Sequence, residues 1–287
     1  MSLTGDARNY ATARKTLISG LIALADLPPG SFVLVGAHAV YLRAPGHIPS
    51  MAPFTLDGDL AADPRKIGRP RDILDRLEAA GFSLRGEHGG LYGIPDAPQD
   101  EKEASKLDIL VPQGVAHAWK KLDSYGARDV SATMEQPGLE LALFDHSLMT
   151  LSQIDPSQRP QSIRVEVAGT VALIVAKGWK IGERFEQVGD SFQEVGKDVG
   201  DVYRLLAASN AAETRATLER LPLDGDLRGI ARKGARYLLE LCSRGGAGTA
   251  LLRDILGPSE EASVIIASLE ALVEEFHADV EASLGRG

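Results

Sequence analysis

Asp57 and Asp59 stand two residues apart in Thr55-Leu56-Asp57-Gly58-Asp59-Leu60, and Asp108 follows in Lys106-Leu107-Asp108-Ile109-Leu110-Val111-Pro112. Side chains alternate across a strand with period two, so an Asp-x-Asp on a strand presents both carboxylates on one face. Asp108 lies inside an apolar run, where a charge needs a partner or a metal. Carboxylates a few ångströms apart repel one another strongly, and a cation relieves that repulsion. Together the three form a hard-oxygen donor set suited to Mg²⁺ or Mn²⁺. A competing reading is local. Asp-Gly is a favoured hairpin dipeptide and both residues are poor strand formers, so Asp57-Gly58-Asp59 also reads as a turn.

The elements that must position these residues are legible from periodicity and breakers. Apolar residues at helical spacing predict a helix over 7–26, ended by Leu27-Pro28-Pro29-Gly30. Residues 31–35 read as a buried strand that runs through Gly36-Ala37 into a short helix. The proline-rich stretch 44–54 reads as a loop, and 55–61 as the strand of Asp57 and Asp59. Residues 69–80 form an amphipathic helix with Ile73, Leu74 and Leu77 on one face, and Gly81 is its expected C-terminal cap. Glycines interrupt one or two strands over 82–94. A polar loop over 96–105 precedes the Asp108 strand at 107–111, which Pro112 stops. Strands are expected over 139–151 and 163–167, with a loop at Pro156 and Pro160 between them. Helices follow over 171–184, 197–208, 211–221, 227–243 and 259–283. These assignments place a boundary near residue 168, with an α+β domain over 1–168 and a helical domain over 169–287.

The totals narrow the class. The chain has 287 residues, 44% hydrophobic and 25% charged, as expected of a globular protein with a sizeable core. One cysteine, Cys242, gives neither a disulfide framework nor a Cys-based zinc site, and suits a reducing, cytoplasmic setting. The start of the chain has no signal-peptide pattern, and no apolar run reaches the length of a membrane span, so no membrane partner is expected. A formal net charge of −9 disfavours tight, non-specific nucleic-acid binding.

Further along, Lys177, Lys180 and Arg184 recur at i, i+3 and i+7 and so share a helix face that suits a triphosphate. The alternative is a solvated helix stitched by Lys180 with Glu183 and by Lys197 with Asp201.

The strand-Gly36-Ala37-helix segment, the Asp57/Asp59 pair and the Asp108 strand together resemble the nucleotidyltransferase fold of the DNA polymerase β superfamily. The nearest likeness is to the bacterial AbiEii-like abortive-infection and toxin nucleotidyltransferases, over residues 30–205. Ala176-Lys177-Gly178-Trp179-Lys180 and Lys197-Asp198-Val199-Gly200-Asp201 extend it into the second half. The resemblance implies a mixed β-sheet with flanking helices followed by a mostly helical C-terminal domain. It also implies Mg²⁺-dependent (or Mn²⁺-dependent) transfer of NMP from an NTP to a hydroxyl of RNA, a protein or a small molecule. In that scheme Asp57, Asp59 and Asp108 are the catalytic, metal-holding residues. Backbone N–H groups at Gly36 and Ala37 meet phosphate, as do Lys177, Lys180 and Arg184, while Asp198 and Asp201 face the cleft or brace the cations. A toxin role with a separately encoded antitoxin is a further implication.

The family turn is usually Gly-Gly or Gly-Ser rather than Gly36-Ala37, and an apolar residue usually stands where Gly58 is. These differences motivate an alternative, a catalytically degenerate binding module of the same fold. Another alternative is an antibiotic-type small-molecule nucleotidyltransferase. Other features read as structural: His38 as a packed or capping histidine, the basic run 64–71 as a solvated loop, 245–248 as a hinge or cap, and Cys242 as core.

Overall fold

The computed structural model describes residues 5–46, 55–84, 91–93, 105–120, 133–154, 161–186, 192–223 and 225–285. It is a mixed α/β structure that divides into two compact units, Met1–Ala39 with Pro53–Ala168, and Val40–Ala52 with Gly169–Gly287. Most of the loops expected at 44–54 and 96–105, and both Pro156 and Pro160, lie outside the described residues. Among the described residues no helix is long and apolar enough to cross a membrane.

The first unit contains α1 (Gly5–Ala23), β1 (Phe32–Val35), the start of α2 (Gly36–Arg43), β2 (Asp57–Ala62), α3 (Pro70–Ala79), β3 (Ser83–Leu84), β4 (Leu91–Gly93), β5 (Lys106–Pro112), α4 (Gln113–Lys120), β6 (Met134–Gln136), β7 (His146–Ser152) and β8 (Ser162–Ala168). The sheet order is β3-β4-β5-β2-β1-β8-β7, with β6 also paired to β5. It is mixed: β2 runs antiparallel to β1 but parallel to β5, and β8 runs parallel to β1 but antiparallel to β7.

The central strands are apolar on the faces they bury. Val33, Leu34, Leu60, Ala61, Leu107 and Ile109 are all fully buried. α1 covers one face by two reciprocal fits. A Cβ at Gly58 would lie 2.9 Å from Cβ of Leu17, and a Cβ at Gly20 would lie 2.4 Å from Cδ2 of Leu107. Each glycine is the notch that receives a leucine from the opposing element. The end of α3 follows the expected capping chemistry. Gly81 adopts φ +88, and N–H groups of Gly81 and Phe82 donate to the carbonyls of Glu78 and Leu77.

The second unit is helical: α5 (Thr170–Glu186), α6 (Phe192–Ala208), α7 (Ala211–Glu219), α8 (Leu227–Cys242), α9 (Ala247–Leu256) and α10 (Glu260–Leu284). α5 and α8 cross with their backbones in contact, because a Cβ at Gly178 would lie 2.4 Å from the carbonyl oxygen of Gly234. The ring of Tyr237 fills the space over Gly182.

The strand expected over 55–61 forms, and the competing turn at Asp57-Gly58-Asp59 does not, because the ladder to β5 and the leucine over Gly58 override a local Asp-Gly preference. Three local expectations are corrected. Pro112 closes β5 but opens a helix, since its fixed φ suits a helix start as well as a strand end. Glu140–Leu143 is a 3₁₀ turn rather than strand, and β7 begins only at His146. The glycines at 245–248, read as a hinge or cap, do cap, with Gly246 as N-cap, but what they open is a helix not expected from the sequence, α9.

Replacing Gly58 by Val drives a branched side chain into Leu17. It should destabilise the fold by about 1–3 kcal/mol. In a denaturant double-mutant cycle, adding Leu17→Ala should restore part of that loss, with a coupling above about 0.5 kcal/mol. Strictly additive costs would show that the two side chains do not compete for this space.

Candidate active site

The parallel register of β2 with β5 sets Asp57 beside Lys106, Gly58 beside Leu107 and Asp59 beside Asp108. Asp59 and Asp108 are therefore lateral neighbours on one sheet face, on strands about 4.8 Å apart. Asp57 is two residues along the same face. All three aspartates are partly exposed, whereas Gly58, Leu60, Leu107 and Ile109 between them are buried against the other face. Like charges directly across a ladder destabilise it, so this pair is not what sheet stability alone would place there. Thr55 fixes the start of the strand, accepting a hydrogen bond from the Asp57 N–H at 3.2 Å.

Gly36 adjoins this face. It follows β1, where Val35 pairs with Asp59, and it opens α2 with φ +63. A Cβ there would lie 1.9 Å from Oδ2 of Asp59 and 2.9 Å from its Cβ. Gly36 is thus required twice, by its left-handed backbone and by the carboxylate lying against its Cα. The sequence puts the two residues in separate motifs, whereas the fold brings them into contact. Ala37 is buried beside it. His38 is fully buried and stacks on Tyr10 with ring centroids 5.0 Å apart, as a packed histidine would.

Among the described residues, no group of three or more His, Cys, Asp or Glu side chains stands close enough together to hold a metal ion. The donor set itself is all carboxylate oxygen, which is the chemistry a hard divalent cation takes. Mg²⁺ is commonly held by one or two carboxylates together with substrate phosphates rather than by an all-protein cage. The Asp59–Asp108 neighbours with Asp57 beyond them fit a cation shared in that way.

In the helical unit, Lys177, Lys180 and Arg184 do share a face of α5, and all three converge on Asp198 of α6. Lys177 Nζ donates to Asp198 at 2.5 Å and to Asp201 at 2.7 Å. Arg184 donates to the second Asp198 oxygen at 3.0 Å, and Lys180 lies 3.5 Å from the same oxygen. Arg184 also reaches Glu194 at 2.8 Å. Lys177, Asp198 and Asp201 are buried, whereas the Lys180 side chain is 44% exposed. Burial alone would pull the Lys177 ammonium down; the charges of Asp198 and Asp201 outweigh it and hold its pKa well above the ordinary value. Burial likewise opposes ionisation of Asp198, and the charges of Lys177 and Lys180 overcome it, holding its pKa well below the carboxylate range. Burial, then repulsion from Lys177, pulls Lys197 the other way. Lys177 is thus committed to two internal carboxylates, and Lys180 is the member of the set with most solvent access.

One further contact lay outside sequence reasoning. His146 Nδ1 lies 3.0 Å from Glu166 Oε2, and the strand registers put both on the sheet face of Asp59. No spacing in the sequence links them. The basic run 64–71 is stitched locally. Arg65 bonds Asp63 through two nitrogens at 2.8 and 2.9 Å, Lys66 donates to the Gly30 carbonyl, and Arg69 and Arg71 pair with Asp72 and Asp75.

Asp198→Asn leaves the buried Lys177 ammonium with one anionic partner fewer. It should cost about 3–5 kcal/mol of stability at neutral pH. The pH dependence carries the signature. A carboxylate held low in the folded state stabilises above its unfolded value of about 3.9 and loses that contribution as pH falls through the folded value. The acid limb of a urea-unfolding series should therefore flatten in the variant, and an unchanged limb would count against the assignment.

Comparisons of the chain with protein-family models and with curated proteins each find no match.

Proposed function

We propose that the chain is a Mg²⁺-dependent nucleotidyltransferase of the DNA polymerase β type, transferring NMP from an NTP to a hydroxyl acceptor. The observation that carries the reading is the in-register Asp59–Asp108 pair, with Asp57 on the same face and the Gly36 turn pressed against Asp59. Like charges directly across a ladder cost the sheet stability, and a cation would relieve that cost. The family difference at Gly58 has a packing explanation: Leu17 of α1 fills the volume that an apolar residue at this position would otherwise supply.

In this reading Asp57 and Asp59 would hold the metal, and Asp108 completes the set. The bound cation supplies neutralisation of the triphosphate charge. Backbone N–H groups at the start of α2, at Gly36 and Ala37, would donate to phosphate oxygens, favoured by the positive end of the helix dipole. The acceptor hydroxyl oxygen bonds to the α-phosphorus as the bond to pyrophosphate breaks. Its proton passes to a carboxylate, for which Asp108 is the candidate, and pyrophosphate leaves. On the helical unit, Lys177, Asp198 and Asp201 form the buried brace that holds Lys180 and Arg184.

Calorimetric titration with each of the four NTPs in Mg²⁺ tests the proposal. Micromolar, metal-dependent binding is expected, and Asp57→Asn with Asp59→Asn should abolish it while the fold persists. Wild-type protein that takes up no nucleotide at millimolar concentration would overturn the enzyme reading. Salt then separates acceptor classes, since RNA binding weakens steeply with ionic strength and small-molecule binding does so far less. The net charge of −9 favours a small-molecule or protein acceptor.

A further inference from the structure

A cavity of about 550 Å³ lies in the helical unit, lined by residues of α5, α8 and α10 and by the α8 N-cap, Asp226. That volume is in the range of small-molecule sites. One side is cationic. Arg232, Lys233 and Arg236 of α8 all line it. In a chain of net charge −9, three cations within five residues of one helix are a local reversal of sign.

None of the three is neutralised by a close ion pair among the described residues. Lys233 Nζ sits over the Trp179 ring at 4.1 Å and over Tyr237 at 5.3 Å. Such cation–π contact holds the ammonium in place without cancelling its charge. Arg236 is 3.8 Å from Glu240, with both side chains more than half exposed, so the pair contributes little. Arg232 spends one terminal nitrogen on the carbonyls of Leu284 and Gly285 that end α10, while its Nε is buried without a hydrogen-bond partner. The remaining polar lining comprises His277 and the carboxylates of Asp226 and Glu281, which are acceptors; among the described residues no ion pair joins those carboxylates to the three cations.

Donors for an anion thus stand together, with acceptors beside them. We propose that this cavity binds a small phosphate monoester that carries hydroxyl groups. Lys233 and Arg236 take the phosphate, which bears nearly two negative charges at neutral pH, and the Arg232 guanidinium adds positive charge beside them. Asp226 and Glu281 accept from the hydroxyls. A sugar phosphate and a nucleoside monophosphate share that chemistry. The site uses none of the carboxylates assigned to the transferase reaction and needs no metal.

The test is calorimetry on the full chain with divalent ions chelated, using ribose 5-phosphate, AMP and inorganic phosphate as probes. Saturable binding of ribose 5-phosphate is expected, with inorganic phosphate at least tenfold weaker. Tighter binding of AMP identifies a nucleotide as the natural source, and equal or weaker binding a sugar phosphate. Arg236→Gln, at an exposed side chain, and Lys233→Gln, at a half-buried one, should each lower affinity tenfold or more, with unchanged circular dichroism. The proposal is overturned by no saturable heat with either monoester, by inorganic phosphate binding as tightly as ribose 5-phosphate, or by wild-type affinity in the double variant. Because the measurement is made without Mg²⁺, its outcome is independent of the transferase reading.

Discussion

Register between β2 and β5 decides what each face of the first unit can be. Aligning Asp59 with Asp108 puts carboxylates side by side on one face and a run of leucine and isoleucine on the other. A slip of one residue would exchange the faces and drive the aspartates under α1. Two interlocks guard against that slip. Leu17 fits only over Gly58, and Leu107 fits only over Gly20, so the helix senses the position of both strands at once. The repulsion on the functional face is therefore borne by packing on the hidden one. Gly36 extends the constraint to β1, because Asp59 can hold its place only where the neighbouring turn has no side chain.

The second unit solves a different problem around α5. One face carries Lys177, Lys180 and Arg184 toward Asp198, and the adjoining face carries Gly178 and Gly182 toward α8. The first face is held by charge, which has strict geometric demands when buried. The second is held by contact between backbones and by the Tyr237 ring, whose hydroxyl donates to Glu186 at 2.7 Å. Burial and that carboxylate push the Tyr237 phenol up to about 12, so the donor stays protonated throughout the physiological range. Cys242, deep among the helices, is raised to about 12 by burial alone and is chemically quiet, in keeping with a core residue.

Much of this was legible in the sequence, for identifiable reasons. Continuous apolar runs bounded by glycine or proline gave β1 and β5, and apolar residues at helical spacing gave α1 and α3. The two-residue spacing of Asp57 and Asp59 gave their shared face. What stayed hidden depended on contacts between distant segments. The sequence reading of 55–61 as a strand left a turn at Asp57-Gly58-Asp59 in competition, and the side chain that favours the strand belongs to the distant Leu17. Lys177 is recognisable as one of three cations on a helix, but its clamping by Asp198 and Asp201 requires knowing that α6 folds back on α5. The His146–Glu166 contact arises from antiparallel pairing of strands with no shared motif. α9 was obscured because its glycine-rich start reads as a break, although a glycine N-cap serves a helix as well as a hinge.

The two kinds of glycine contact leave the chain with unequal freedom to drift over evolutionary time. Where Gly58 meets Leu17, a larger residue on the strand can be accommodated by a smaller one on the helix, so the pair can change by a compensating exchange. Where Gly178 meets the carbonyl of Gly234, the obstacle is backbone and neither partner has a side chain left to surrender. A substitution at either position can be absorbed only by moving a whole helix. Lineages that separate α5 from α8 must rebuild both the charge cluster and the cationic cavity that these helices support, and lineages that keep them must keep two glycines that carry no chemistry of their own.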